Sequence, residues 1–242
     1  MKSPKLAIVT ALCCALGSAS VVFGETYRDD RNHFSITMPD DWVAMVPETI
    51  NMVNKMANYQ AKKSNVTGVE YDAGYQPLGT PTLAYPYLLI QVVREDFSDA
   101  NYSSLERGLG LAMEKGVQEA ADGFSEILSN AEAGKPIMDR EKGRIVTPIA
   151  MEVAGIGKVR GISVGWLGKN GLMNIHCYAL ADEFDKWAPT FEKITDSLRF
   201  DDGYKFEPKS NPVLSGAMRG AVIGAVIGLI IAGMKAAKKG KA

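Results

Sequence analysis

Val159-Arg160-Gly161-Ile162-Ser163-Val164-Gly165-Trp166-Leu167-Gly168-Lys169-Asn170-Gly171-Leu172-Met173-Asn174-Ile175-His176-Cys177-Tyr178-Ala179 is the stretch whose reading decides the fold. Asn-Gly between two runs rich in apolar residues is a strong hairpin signal, because glycine accepts the positive φ that a tight turn demands. The flanking runs, 159–167 and 172–179, therefore read as paired strands. Successive side chains on a strand point to opposite faces. Met173, Ile175, Cys177 and Ala179 form one apolar face, and Asn174, His176 and Tyr178 form the other. The adjacency of His176 and Cys177 invites a Cys–His nucleophile, but the alternation sets the two side chains back to back. Cys177 then reads as a small core residue, since thiol catalysis needs an exposed cysteine of depressed pKa. Upstream, Gly155-Ile156-Gly157 is a second turn, preceded by strands at 144–153 and, more weakly, at 125–133. Strands joined by successive hairpins imply an antiparallel sheet.

Working outward, the N-terminal part of the body alternates strand and helix patterns. Phe34, Ile36 and Met38 alternate with Ser35 and Thr37 in a half-buried strand that stops at Pro39. Pro47 opens a helix in which Ile50, Val53, Met56 and Tyr59 are read as the apolar spacing. Segments 66–76 and 81–91 read as a strand pair, and the nearly all-apolar run 87–93 is expected to be covered on both faces. Ser103 and Glu106 have the spacing of a capping box, opening a helix with Leu105, Leu109, Met113 and Val117 on its buried stripe. The last helix carries Phe184, Trp187, Phe191, Ile194 and Leu198 on one stripe, with Pro189 inside it as an expected kink or fresh start. The body is thus mixed α/β, of the α+β kind.

Two segments at the ends of this body carry a family resemblance. His33-Phe34-Ser35-Ile36-Thr37-Met38-Pro39-Asp40-Asp41-Trp42 resembles the opening of PsbP-like domains: an apolar strand, a proline, an acidic residue or glycine, then tryptophan. Phe191-Glu192-Lys193-Ile194-Thr195-Asp196-Ser197-Leu198-Arg199-Phe200 is similar to their closing helix-and-strand signature. The group includes the extrinsic photosystem subunit, DcrB-type envelope lipoproteins of bacteria and a Ran-binding nuclear import factor. The resemblance implies an α-β-α sandwich with a central, mainly antiparallel sheet. It also implies a binding or assembly role without catalysis, and it carries no metal ligands onto this chain. Read physically, Trp42 is a core plug under the last helix.

The two ends of the chain read as address and anchor. Lys2 and Lys5, followed by the apolar run 6–16, make residues 1–24 a signal peptide. Cleavage is expected after Val22-Phe23-Gly24, with Ser18-Ala19-Ser20 as the rival site and an uncleaved N-terminal anchor as the alternative. Leu12 before Cys13, and Cys13 before Cys14, lack the small residue that lipobox processing requires. The mature chain then keeps Cys177 alone, so no intramolecular disulfide or cysteine-rich zinc site can form. Residues 213–234 hold one charge, Arg219, and as a helix would reach roughly 33 Å, enough for a hydrocarbon core of about 30 Å. Lys235, Lys238, Lys239 and Lys241 follow, which by the positive-inside rule puts 235–242 in the cytoplasm. Gly216, Gly220, Gly224 and Gly228 recur every four residues and resemble a glycine zipper, a small-residue stripe for helix–helix contact. Its alternatives are an anchor whose glycines have no partner and an amphitropic segment that does not span. Residues 201–212 read as a polar linker.

Charge and motif content narrow the function classes. Residues 25–212 contain all 28 acidic residues and 20 of the 27 basic ones, a balance of −8 inside a chain of net charge −1. An acidic body between basic apolar ends is a poor match to nucleic-acid binding. Gly155-Ile156-Gly157-Lys158-Val159-Arg160-Gly161 lacks both the spacing and the strand-to-helix context of a dinucleotide loop. Two histidines in all, His33 and His176, cannot make an H-E-x-x-H zinc motif. The acidic pairs Asp29-Asp30, Asp40-Asp41, Asp182-Glu183 and Asp201-Asp202 read as solvated or helix-capping groups. The expectation is a non-catalytic protein with neither cofactor nor metal. It is read as single-pass, with an exported domain (25–200) bound to the membrane lipid bilayer of a cell envelope and docking an unknown envelope protein. Self-association through the C-terminal helix is expected beside this. The alternative is a structural or membrane-perturbing oligomer that works through the glycine-rich helix, and a hydrolase with an unrecognised site is the third reading.

Overall fold

The computed structural model describes residues 25–63, 68–94, 101–103, 105–108 and 128–208. The body opens with three short strands, β1 (Thr26–Asp29), β2 (Phe34–Thr37) and β3 (Trp42–Ala44), then the helix α1 (Pro47–Lys63). Strands β4 (Ala73–Pro77) and β5 (Tyr87–Arg94) follow, and residues 102–103 and 105–108 are helical. Then come β6 (Leu128–Ala133), β7 (Ile137–Asp139), β8 (Arg144–Val153), β9 (Gly157–Gly168) and β10 (Gly171–Leu180). The helix α2 (Phe184–Asp196) and the short β11 (Arg199–Phe200) close the fold.

The central sheet runs β3-β4-β5-β10-β9-β8-β6, with β7 also on β8, and every pairing in it is antiparallel. On one face, Ile50, Val53 and Ala57 of α1 pack on Leu89, Met151, Val159 and Tyr178. Leu105, from the helical residues 105–108, sits beside them on Ile145, Leu167 and Leu172. On the other face, Phe184, Phe191 and Ile194 of α2 cover Leu88, Ile90, Val164, Ile175 and Cys177. The result is the layered α-β-α arrangement, with one addition. A second, three-stranded antiparallel sheet, β1-β2-β11, shares the α2 face, placing Phe34 and Ile36 in the same cluster.

Local chemistry explains where the structure departs from the sequence pattern. Strand β10 pairs Gly171 with Gly168, so the turn residues are Lys169 and Asn170, one step before the expected Asn-Gly pair. The positive φ (145°) falls on Gly171, where a Cβ would lie 2.2 Å from the Val93 carbonyl oxygen. On α1 the buried stripe is Ile50, Val53, Ala57 and Ala61, while Tyr59 is 69% exposed. Nine residues beyond Ile50 the helix has turned about 180° away, so Tyr59 cannot share its face. Of the expected strand at 66–76, residues 68–72 lie outside the ladder and β4 begins at Ala73. Asn54 of α1 binds both backbone groups of Tyr71, accepting from its N–H (2.8 Å) and donating to its C=O (2.9 Å), which removes them from the ladder. The helix near residue 103 starts earlier, with the Asn101 carbonyl accepting from the Leu105 N–H (3.0 Å). Ser103 and Glu106 bind the Arg140 guanidinium (3.5 and 3.3 Å), so they do not form a capping box.

The first residues of the stretch read as a linker are bonded to the body. The Asp201 N–H donates to the His33 carbonyl, Lys205 bridges Gly168, and Phe206 is buried against Leu167. The expected signal peptide 1–24, membrane segment 213–234 with Gly216, Gly220, Gly224 and Gly228, and basic end 235–242 lie outside the described residues. Among the described residues no helix is long and apolar enough to cross a membrane.

Candidate functional site

Strand alternation brings a row of polar side chains onto the α1 face of the sheet. Gln91 of β5, Asn174 and His176 of β10, Ser163 of β9 and Thr147 of β8 are all buried there. The Gln91 side-chain oxygen is an acceptor only, so His176 donates Nε2–H to it (3.1 Å), and Asn174 Nδ2 donates to the same oxygen (3.4 Å). His176 Nδ1 is left as a buried lone pair without a hydrogen-bond partner. Tyr71 meets the imidazole edge to face at 6.1 Å, and Tyr178 stacks parallel to it at 6.4 Å. Full burial lowers the His176 pKa from 6.5 to about 3, so the ring is neutral. Glycines make the row fit, since a Cβ on Gly165 would touch the Asn174 side-chain oxygen and one on Gly161 the Tyr178 ring. The row is therefore packed solid.

Cys177 projects the opposite way, into the α2 layer, fully buried. Burial pushes its thiol pKa up, away from the thiolate that nucleophilic chemistry uses. Trp42 is the core plug read from the sequence, edge to face with Trp187 (6.3 Å) and Phe191 (6.2 Å) of α2.

Accessible charged groups gather at a surface cleft. A cleft of about 690 Å³ runs between the β7–β8 turn (Glu141, Lys142), the end of α2 (Asp196), β11 and residues 201–205, with Trp166 at its base. Two of its four acids, Asp196 and Asp201, are held by cationic side chains. Asp196 accepts from Lys142 Nζ (2.7 Å) and from the Arg144 guanidinium. Asp201 takes the Arg28 guanidinium in a two-point contact (2.7 and 2.6 Å), with His33 Nδ1 at 3.3 Å, and the Arg28 bonds hold its pKa low. The His33 ring stacks on Tyr204 at 3.6 Å. Arg199 Nη1 donates to the carbonyls of Asp196 (2.6 Å) and Leu198 (2.7 Å), not to a carboxylate. The cleft offers charges for polar recognition. A smaller cleft of about 330 Å³ lies between the start of α1 and β4, lined by Asn51, Asn54, Glu70 and Asp72.

The structure keeps the sequence-derived candidates apart. His176 and Cys177 occupy opposite layers, and His33 lies on the β1–β2 side. Asp29 accepts from the Asn32 backbone and side chain (2.9 and 2.7 Å), and Asp30 pairs with Arg28 (2.8 Å). Among the described residues no group of three or more His, Cys, Asp or Glu side chains is arranged to hold a metal ion. Sequence reasoning missed the buried polar row and the cleft. A glutamine inside the apolar run 87–93 was the available signal for the first, whereas the second joins residues some 60 positions apart, for which a single sequence carries no signal.

No family model matches the chain, and no curated protein matches it. Among solved structures it is similar to the solution structure of cyanobacterial PsbP (CyanoP) from Synechocystis sp. PCC 6803, at 14% identity and a TM-score of 0.45, covering 76% of this chain and 96% of that one. Nothing about residues or role is carried over from it. The mixed α/β class stands on the strand pairings above.

Proposed function

We propose that the body is a non-catalytic docking domain of the cell envelope. It is exported by the leader 1–24, held at the outer face of the inner membrane by residues 213–234, and binds a partner protein without covalent chemistry. The carrying observation is the burial of Cys177 and His176. The body's one cysteine and one of its two histidines are closed to solvent, back to back across β10, in their inert neutral forms. The charged cleft beside β11 supports recognition through the surface, since its side chains are ordered by ion pairs and carbonyl contacts. The bonding of residues 201–206 to the body supports a tether, giving the following segment a firm root. In this reading Gly216, Gly220, Gly224 and Gly228 let tails of neighbouring copies approach closely.

Reporter fusions in a bacterial host test the topology. Alkaline phosphatase fused after Pro208 is expected to be active and fused after Ala242 to be inactive. Inactivity at Pro208, with a cytoplasm-restricted reporter active there, would overturn the reading.

A further inference from the structure

The outer face of α1 carries basic charge within an acidic body. Between Asn51 and Lys63 the helix has three lysines and no acidic residue, within a segment whose balance is −8. At 3.6 residues per turn, Met52, Lys55, Tyr59 and Lys62 fall within about 80° of one another, opposite the buried stripe. Met52 is 37% exposed and Tyr59 69%, both large for apolar-bodied residues, and Lys55 and Lys62 are exposed beside them. Met56 is half-buried against the core beneath, and Glu48, the one acid of the helix, sits in its first turn, where it meets the positive helix end. An apolar ridge with an aromatic, edged by lysines, has the composition that lies on anionic headgroups, its apolar atoms in the interface and its ammonium groups at the phosphates.

We infer that α1 is a membrane-contacting face: Met52 and Tyr59 seat in the headgroup region of an anionic bilayer, and Lys55 and Lys62 pair with lipid phosphates. Two features select a lipid surface as occupant. One is charge complementarity, because a basic ridge on an acidic domain is drawn to an anionic plane while the remainder is repelled, which orients the domain. The other is proximity, and here the inference rests on the tether reading above, which holds the domain beside such a plane. The contact would fix which side of the domain, and hence which cleft, faces away from the membrane.

The test uses the full chain in nanodiscs of phosphatidylglycerol or of phosphatidylcholine, with amine acylation read residue by residue by mass spectrometry. Lys55 and Lys62 are expected to react about fivefold more slowly on the anionic discs, less so at high salt, whereas Lys186 and Lys193 on α2 react equally on both. A Lys55→Glu, Lys62→Glu variant, altered only at exposed positions, is expected to lose the accompanying protection of Met52 from oxidation. Equal reactivity of Lys55 and Lys62 on both discs overturns the inference and leaves the tether standing. Uniform slowing that includes Lys186 and Lys193 also overturns it, as unspecific adsorption. A chain that fails to associate with either disc removes the tether reading and this inference together.

Discussion

His176 is held neutral by burial, and its stability linkage follows from that. The folded pKa of about 3 lies below the ordinary value of about 6.5, so the unfolded chain binds a proton that the folded chain refuses between those values. The contribution is complete above about pH 6.5 and is lost as pH falls toward 3, at up to about 1.4 kcal/mol per pH unit. Urea unfolding is therefore expected to show stability dropping by about 2–3 kcal/mol from pH 6.5 to 4.5, with a His176→Gln variant losing the slope in that window. A variant that keeps the slope would trace the acid sensitivity to other groups. The neighbouring residue gives a second expectation. Cys177, fully buried with a raised pKa, should stay unreactive toward a thiol-titrating disulfide reagent in the native protein and react at once in denaturant. Rapid native reaction would contradict its placement beneath α2.

At the scale of elements, the β9–β10 hairpin is the most constrained part of the fold. Gly161 lies against the Cys177 carbonyl and the Tyr178 ring, each 2.8 Å from where a Cβ would stand, and backbone cannot retreat as a flexible side chain can. Gly161→Ala is expected to cost about 1–3 kcal/mol in chemical denaturation, and a neutral result would mean that the strands are not packed at that register. Phe191→Ala, which empties the centre of the α2 contact with Trp42, is expected to cost about 3–5 kcal/mol. These elements were legible in the sequence because their signal is local: alternation brackets β8, β9 and β10 to within two residues at each end, and one apolar stripe defines α2. What was not legible is non-local. Strands β1, β3, β7 and β11 have two to four residues, too few for a period, and exist because a partner strand completes them. Tyr59 was drawn into the α1 stripe by its apolar ring, although helical geometry turns it outward. The polar row around His176 was hidden because alternation shows which side chains share a face, not whether that face is covered.

Across the whole molecule, two layers of helix enclose the sheet, and the closing segment is pinned to the opening strand. Arg28 on β1 reaches Asp201 just beyond β11, while Phe206 fills a site beside Leu167. The Arg28–Asp201 pair is part-exposed (41% and 34%), so Arg28→Ala is expected to leave global stability nearly unchanged. Hydrogen exchange should nonetheless show faster opening at 201–206, a local loss that an isolated surface pair would not produce. Exchange unchanged in that segment would mean that Phe206 and the Gly168–Lys205 bridge hold it without the ion pair. The molecular scale is also where the docking account stands or falls. Its most direct test is cross-linking with mass spectrometry on the native membrane fraction, beside a control chain ending at Asn211. The account predicts cross-links from the body to one other envelope protein, preserved when the tail is removed. Self-cross-links alone, vanishing with the tail, would contradict it and make the glycine-rich helix the working part.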